Sequence, residues 1–272
     1  MLKINRCLMI VLLLVGAFQV AAWANIGVST LEINVQVAPG KSLSGSFAVI
    51  NNSEKPAKVR VSLGDYDRNL NGGIRILPAG TLPRSLANFI TFSPAEFTLA
   101  AGKGKSQKVS FTVVLPEGEA GPHWSLLLVQ EVQPKEGQTK AKEGEQTTQG
   151  LIGIRFGIQI RQTDPTMASP AARITDVEVT LPEGGQPLKV IVDFENTGST
   201  FLRTKGELRF INAKSEVVAT VAILPFRMLP GHQRRLEIPL AQALPAGDYI
   251  ALAIFDFGGD FLLGGEARFS IP

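Results

Sequence analysis

Side chains able to do chemistry are few in this chain, and they are scattered. The two histidines, His123 and His232, stand far apart in sequence. General acid–base work needs a titratable group within hydrogen-bond reach of a partner. Neither histidine is flanked by residues that signal such a pair, so both read as exposed or hydrogen-bonded turn residues. The G-x-S-x-G, H-E-x-x-H, phosphate-loop and dinucleotide patterns do not occur. The one cysteine, Cys7, sits in the leading segment, and without thiolates a zinc site has too few ligands. Asp67, Asn69 and Asn71 place oxygens at alternate positions ahead of Gly72-Gly73, like the first half of an EF-hand loop. The twelfth position, however, is Pro78, which brings no carboxylate. Asn71-Gly72 also suits a hairpin turn, which needs positive φ, and that is the stronger reading. No catalytic residue, metal or cofactor is expected.

Charge says little about a partner. The net charge is +3, of which Lys3 and Arg6 supply two, leaving about +1 on the rest. Lys103, Lys105 and Lys108 flank one turn and Arg234-Arg235 another; both read as solvated edges. The aromatic residues are spaced as core, not interleaved with basic ones, so nucleic-acid binding is not expected.

Binding chemistry of another kind is carried by residues 151–161. Ile152, Ile154, Phe156, Ile158 and Ile160 share one parity, and Gly153, Arg155, Gly157, Gln159 and Arg161 the other. Unbroken period-two alternation of β-branched and aromatic residues marks a strand with one buried face. At a sheet edge, the backbone of such a strand can pair with a strand of another chain. Inside a sandwich, the same stretch is only its last core strand.

The elements around it are strands too. Residues 1–24 combine Lys3 and Arg6, an apolar run over 8–15 and Ala22-Trp23-Ala24, the pattern of a cleaved secretory signal peptide. No later run approaches spanning length, so the expectation is an exported, soluble, periplasmic protein with no membrane span after cleavage. In residues 26–37 the alternation slips at Thr30–Leu31, which predicts a bulge or a strand crossing between sheets. Further strands are expected at 43–49, 57–63, 74–76, 87–92, 109–115 and 124–132, with a loop over 65–73. Residues 134–150 hold nothing to bury and are expected to form a mobile loop. Pro165 and Pro170 mark a linker at 163–170.

A second block of alternating segments follows from Ile174 to Ile271. It repeats the first: Asn196-Thr197-Gly198-Ser199 echoes Asn51-Asn52-Ser53, and the Leu236–Leu240 strand with its Leu244-Pro245 corner echoes Val109–Leu115-Pro116. Tyr249 is placed as a tyrosine corner, with Trp124 at the matching position. The fold class is therefore all-β: two tandem immunoglobulin-like β-sandwiches, over 25–162 and 171–272.

Four features of the first block resemble the periplasmic pilus chaperones of the PapD type. They are the Asn51–Pro56 turn, the Phe97–Gly102 turn, the Trp124–Glu131 strand, and the long loop leading into 151–161. The resemblance implies two immunoglobulin-like domains set at an angle. It also implies a strand lent to a pilus or surface subunit, with Ile152, Ile154, Phe156, Ile158 and Ile160 as the contact row. That family anchors its client's C-terminal carboxylate through an Arg in the first strand and a Lys in the last strand of domain one. Residues 26–37 contain no basic residue, so Arg161, or less well Arg155, is the candidate carboxylate anchor. The stretch Ile90–Leu99 also resembles peptidoglycan-binding envelope proteins associated with WxL-domain surface proteins. That likeness implies the alternative of an adaptor binding peptidoglycan or a cell-surface protein. Either way, a binding protein and not an enzyme is expected.

Overall fold

The computed structural model describes residues 25–132 and 155–272. The expected signal peptide, the 134–150 loop, Ile152 and Ile154 lie outside the described residues. Ten strands form the first sandwich: β1 (Ile26–Val28), β2 (Glu32–Gln36), β3 (Ser42–Asn51), β4 (Ala57–Arg68), β5 (Ile74–Pro78), β6 (Ile90–Ser93), β7 (Glu96–Leu99), β8 (Ser106–Val114), β9 (His123–Glu131) and β10 (Arg155–Thr163). One sheet runs β1-β3-β8-β6 and the other β2-β10-β9-β4-β5, with β7 pairing β4. The second sandwich has β11 (Ala172–Thr180), β12 (Lys189–Asn196), β13 (Leu202–Asn212), β14 (Val217–Met228), β15 (Gln233–Pro239), β16 (Gly247–Asp256) and β17 (Leu263–Ile271). Its sheets run β11-β12-β15 and β14-β13-β16-β17. This is the two-sheet, Greek-key arrangement of immunoglobulin-like domains.

The parity slip at Thr30–Leu31 is where the chain changes sheets. β1 pairs β3 in one sheet, and β2 pairs β10 in parallel in the other. The expected 65–73 loop is shorter than its polar residues suggest. β4 continues to Arg68, and only residues 69–73 turn, with Gly72 at φ +83°. Asp65 explains the difference. It is fully buried and accepts hydrogen bonds from the Thr81 and Leu82 amides and from the Ser85 and Ser125 hydroxyls, so a charged residue sits inside a strand at no loss of partners. The first part of the expected 87–92 strand is a short 3-10 turn, Ala87–Phe89.

Alternation fills both cores. Val59, Val61, Val109, Val113, Leu127 and Val129 meet Ile158 and Ile160 in the first. Val190, Val192, Phe194, Phe210 and Phe255 do so in the second. The duplication extends to hydrogen bonds. Asn51 and Asn196 are both fully buried at the end of a strand. Each donates from its amide nitrogen to a carbonyl four residues on, and each accepts from an amide two residues on. Each backbone carbonyl also receives a turn glycine's amide, Gly104 or Gly231. The Tyr249 hydroxyl donates to the Pro245 carbonyl at 2.9 Å, forming the expected tyrosine corner.

Candidate functional site

β10 is paired with β9 from Arg155↔Gln130 to Gln162↔His123. On its other side, pairing with β2 begins only at Gln159. The Gln159 amide donates across to the Leu31 carbonyl at 2.9 Å. Backbone groups of alternate residues point to the same side of a strand, so those of Arg155 and Gly157 point the same way. They meet no strand among the described residues. Among the described residues, the opening half of β10 is thus paired on one side and the closing half on both.

That division corrects the expected contact row. Ile158 and Ile160 have no exposed surface and belong to the first core, because the β2–β10 pairing closes the sandwich over them. Phe156 is half-buried and packs on the margin of that core. A side chain at Gly157 would lie against Leu126 and Leu128, away from the first core.

The candidate anchors divide in the same way. Arg161 is buried, with its side chain only 6% exposed. Its guanidinium donates to Glu32, to the Gln159 side chain and to the Tyr66 hydroxyl, and it lies over the Phe201 ring of the second sandwich. Its charge is met by Glu32, so it is not the open anchor the sequence suggested. Arg155 is exposed and donates to the neutral Gln130 side chain, with no acidic partner among the described residues.

The two sandwiches meet at Arg161. Glu32 pairs with Arg161 and also with Arg227 of β14. Trp124 donates from Nε1 to the Tyr66 carbonyl at 2.9 Å and packs edge-on against Phe201 and His232. Leu229 completes this seam of Tyr66, Trp124, Leu126 and Leu128. The Arg235 amide donates to the Leu70 carbonyl, joining β15 to the β4–β5 turn. Burial raises the Tyr66 hydroxyl above its ordinary value, against the pull of Arg161, so it stays protonated near neutral pH. Arg234 lies in this seam and not on a solvated edge, stacked on Phe226 at 4.8 Å. Nothing local to Arg234-Arg235 signalled that contact.

His123, Asp67 and Asn69, weighed above for catalysis or metal binding, each have partners within the protein. His123 is fully buried, with Nδ1 against Gln162 at 3.2 Å and Nε2 against Glu119 at 2.8 Å. Asp67 accepts two hydrogen bonds from Arg75. Asn69 closes the turn, its side chain accepting from the Gly73 amide. Among the described residues, no three His, Cys, Asp or Glu side chains converge as a metal site. No described helix is long and apolar enough to cross a membrane.

No family model matches the sequence, and no curated protein matches it. Solved structures are similar in fold. The class 5 fimbriae chaperone CfaA is 11% identical, covers 91% of this chain and all of its own, and has a TM-score of 0.48. The chaperone YadV is 16% identical over 90% of this chain and 100% of its own, at 0.46. A chain of the CsuC–CsuE chaperone–tip adhesion subunit pre-assembly complex of Acinetobacter baumannii is 12% identical over 89% and 98%, at 0.47.

Proposed function

We propose that this chain is a non-catalytic, chaperone-like periplasmic protein that holds a pilus or surface subunit by strand addition along the opening half of β10. One observation carries the reading: pairing with β2 starts at Gln159, and among the described residues no strand pairs the backbone of Arg155 and Gly157 on that side. An incoming strand satisfies those groups and continues the sheet. Phe156 supplies the apolar contact beside it, and the alternation runs on in sequence through Ile154 and Ile152. Arg155 supplies a charge for a client carboxylate.

The test is Gly157→Pro. Its amide faces the free side, so proline removes no β9 bond and is tolerated at such an edge. The expected outcome is a melting midpoint within about 3 °C of the parent and loss of a captured subunit from envelope extract. Phe156→Asp should weaken capture in the same direction. In the parent complex, the Arg155 and Gly157 amides should become protected from hydrogen exchange. Capture that survives Gly157→Pro overturns the strand-addition reading. Binding of purified cell-wall fragments that is equally indifferent to it would point to the envelope-adaptor alternative.

A further inference from the structure

The seam between the sandwiches carries more positive charge than it can pair. Arg68 of β4, Arg161 of β10, Arg227 of β14 and Arg234 of β15 all meet there. Glu32 is the one carboxylate among the described residues that bonds any of them, and Arg161 and Arg227 share it. Among the described residues, Arg68 and Arg234 have no acidic partner.

These two converge on one residue. Arg68 donates from Nη1 to the Gly72 carbonyl at 2.9 Å. A Cβ at Gly72 would stand 2.6 Å from the Arg234 guanidinium carbon, so that group lies against the same turn, and it also lies 4.8 Å from the centre of the Phe226 ring. The Arg235–Leu70 backbone bond holds the turn and β15 together. The Nε–H of Arg68 and the Nε–H of Arg234 are both buried without a hydrogen-bond partner. Buried charged donors left unpaired are costly, and like charges add to that cost. Desolvation pulls both guanidinium groups below their ordinary value, and at Arg234 the charge of Arg68 adds to it. An anion between them removes both penalties, and planar guanidinium forks match the oxygens of an oxyanion.

From this convergence we propose that Arg68 and Arg234 form a binding site for one small inorganic oxyanion, of the phosphate or sulfate class, which ties the β4–β5 turn of the first sandwich to β15 of the second. The proposal does not rest on strand addition: Arg68 reaches β10 at Gln159, where β2 already pairs, and not at Arg155 or Gly157.

The experiment is calorimetric titration of the purified chain with sodium sulfate and, separately, sodium phosphate, in chloride buffer at constant ionic strength. Melting curves are recorded over the same additions. The expected result is saturable binding of one oxyanion per chain, with a rise in melting temperature. Affinity should fall at least about tenfold in Arg68→Gln and in Arg234→Gln, the scale of one lost charge-assisted bond. Arg209→Gln, a half-exposed arginine of the second sandwich, should bind as the parent does. Both Gln variants remove buried charge, so they should fold, and a cooperative melt checks this before titration. Absence of saturable binding, undiminished binding in Arg234→Gln, or equal loss in Arg209→Gln would each overturn the site.

Discussion

At the residue scale, single side chains and single hydrogens explain positions that composition leaves open. Gly206 is one. A Cβ there would stand 2.4 Å from the Ile254 carbonyl oxygen and 2.7 Å from the Phe255 ring, at a register shift between β13 and β14. Backbone on a central strand cannot yield as a flexible side-chain tip can. Gly206→Ala should therefore cost about 1–3 kcal/mol in denaturant unfolding, although it adds only a methyl group. Asp193 is another. Arg235 donates two hydrogen bonds to it, at 2.8 and 2.7 Å, and holds its carboxyl below the usual carboxylate range. A carboxyl depressed in the folded state contributes stability that is present above its unfolded value, roughly 3.9, and is lost as pH falls through the folded value. Asp193→Asn should thus lose less stability than the parent between about pH 6 and about pH 3, as urea titrations at the two pH values would show.

At the element scale, β10 is two strands in one. Its closing half is a core strand held on both sides, and its opening half is an edge held on one. Ile158→Ala should cost about 2–5 kcal/mol, the range for large-to-small changes at fully buried positions. Phe156→Ala should cost clearly less, because that ring is only half-buried. Equal costs would mean that the sandwich is closed over the whole strand and that the edge is not available. The alternation of 151–161 was plain in the sequence, and so was its burial of one face. Where the edge stops was not, because it depends on where β2 begins to pair, more than a hundred residues earlier. The polar run from Asp65 misled for the same reason: the donors that satisfy Asp65 come from Thr81 to Ser85 and from Ser125.

At the scale of the whole molecule, the seam between the sandwiches is built like a small core with a charged rim. Trp124, Tyr66 and Leu229 fill it, and Glu32 bridges Arg161 and Arg227 across it. Glu32→Gln leaves Arg161 buried without its counter-charge. It should destabilise the chain by on the order of 2 kcal/mol and loosen the two sandwiches, seen as a larger radius of gyration in small-angle scattering. An unchanged radius and an unchanged melt would show that Trp124 and its neighbours hold the seam alone.

The sequence by itself determined most of the strands and their buried parity, the change of sheet near Thr30, the twofold repetition and the tyrosine corner. Each of these rests on contacts along the strand or within a turn, so period and turn chemistry report them. Only the tertiary structure decided where along β10 the pairing with β2 begins, that Arg161 pairs with Glu32, and that Arg68 and Arg234 meet at Gly72. Those outcomes depend on which strands become neighbours and on how two separate sandwiches dock. Pairing across such distances leaves no period in a single sequence, and a charge reads the same there whether it faces water or another arginine.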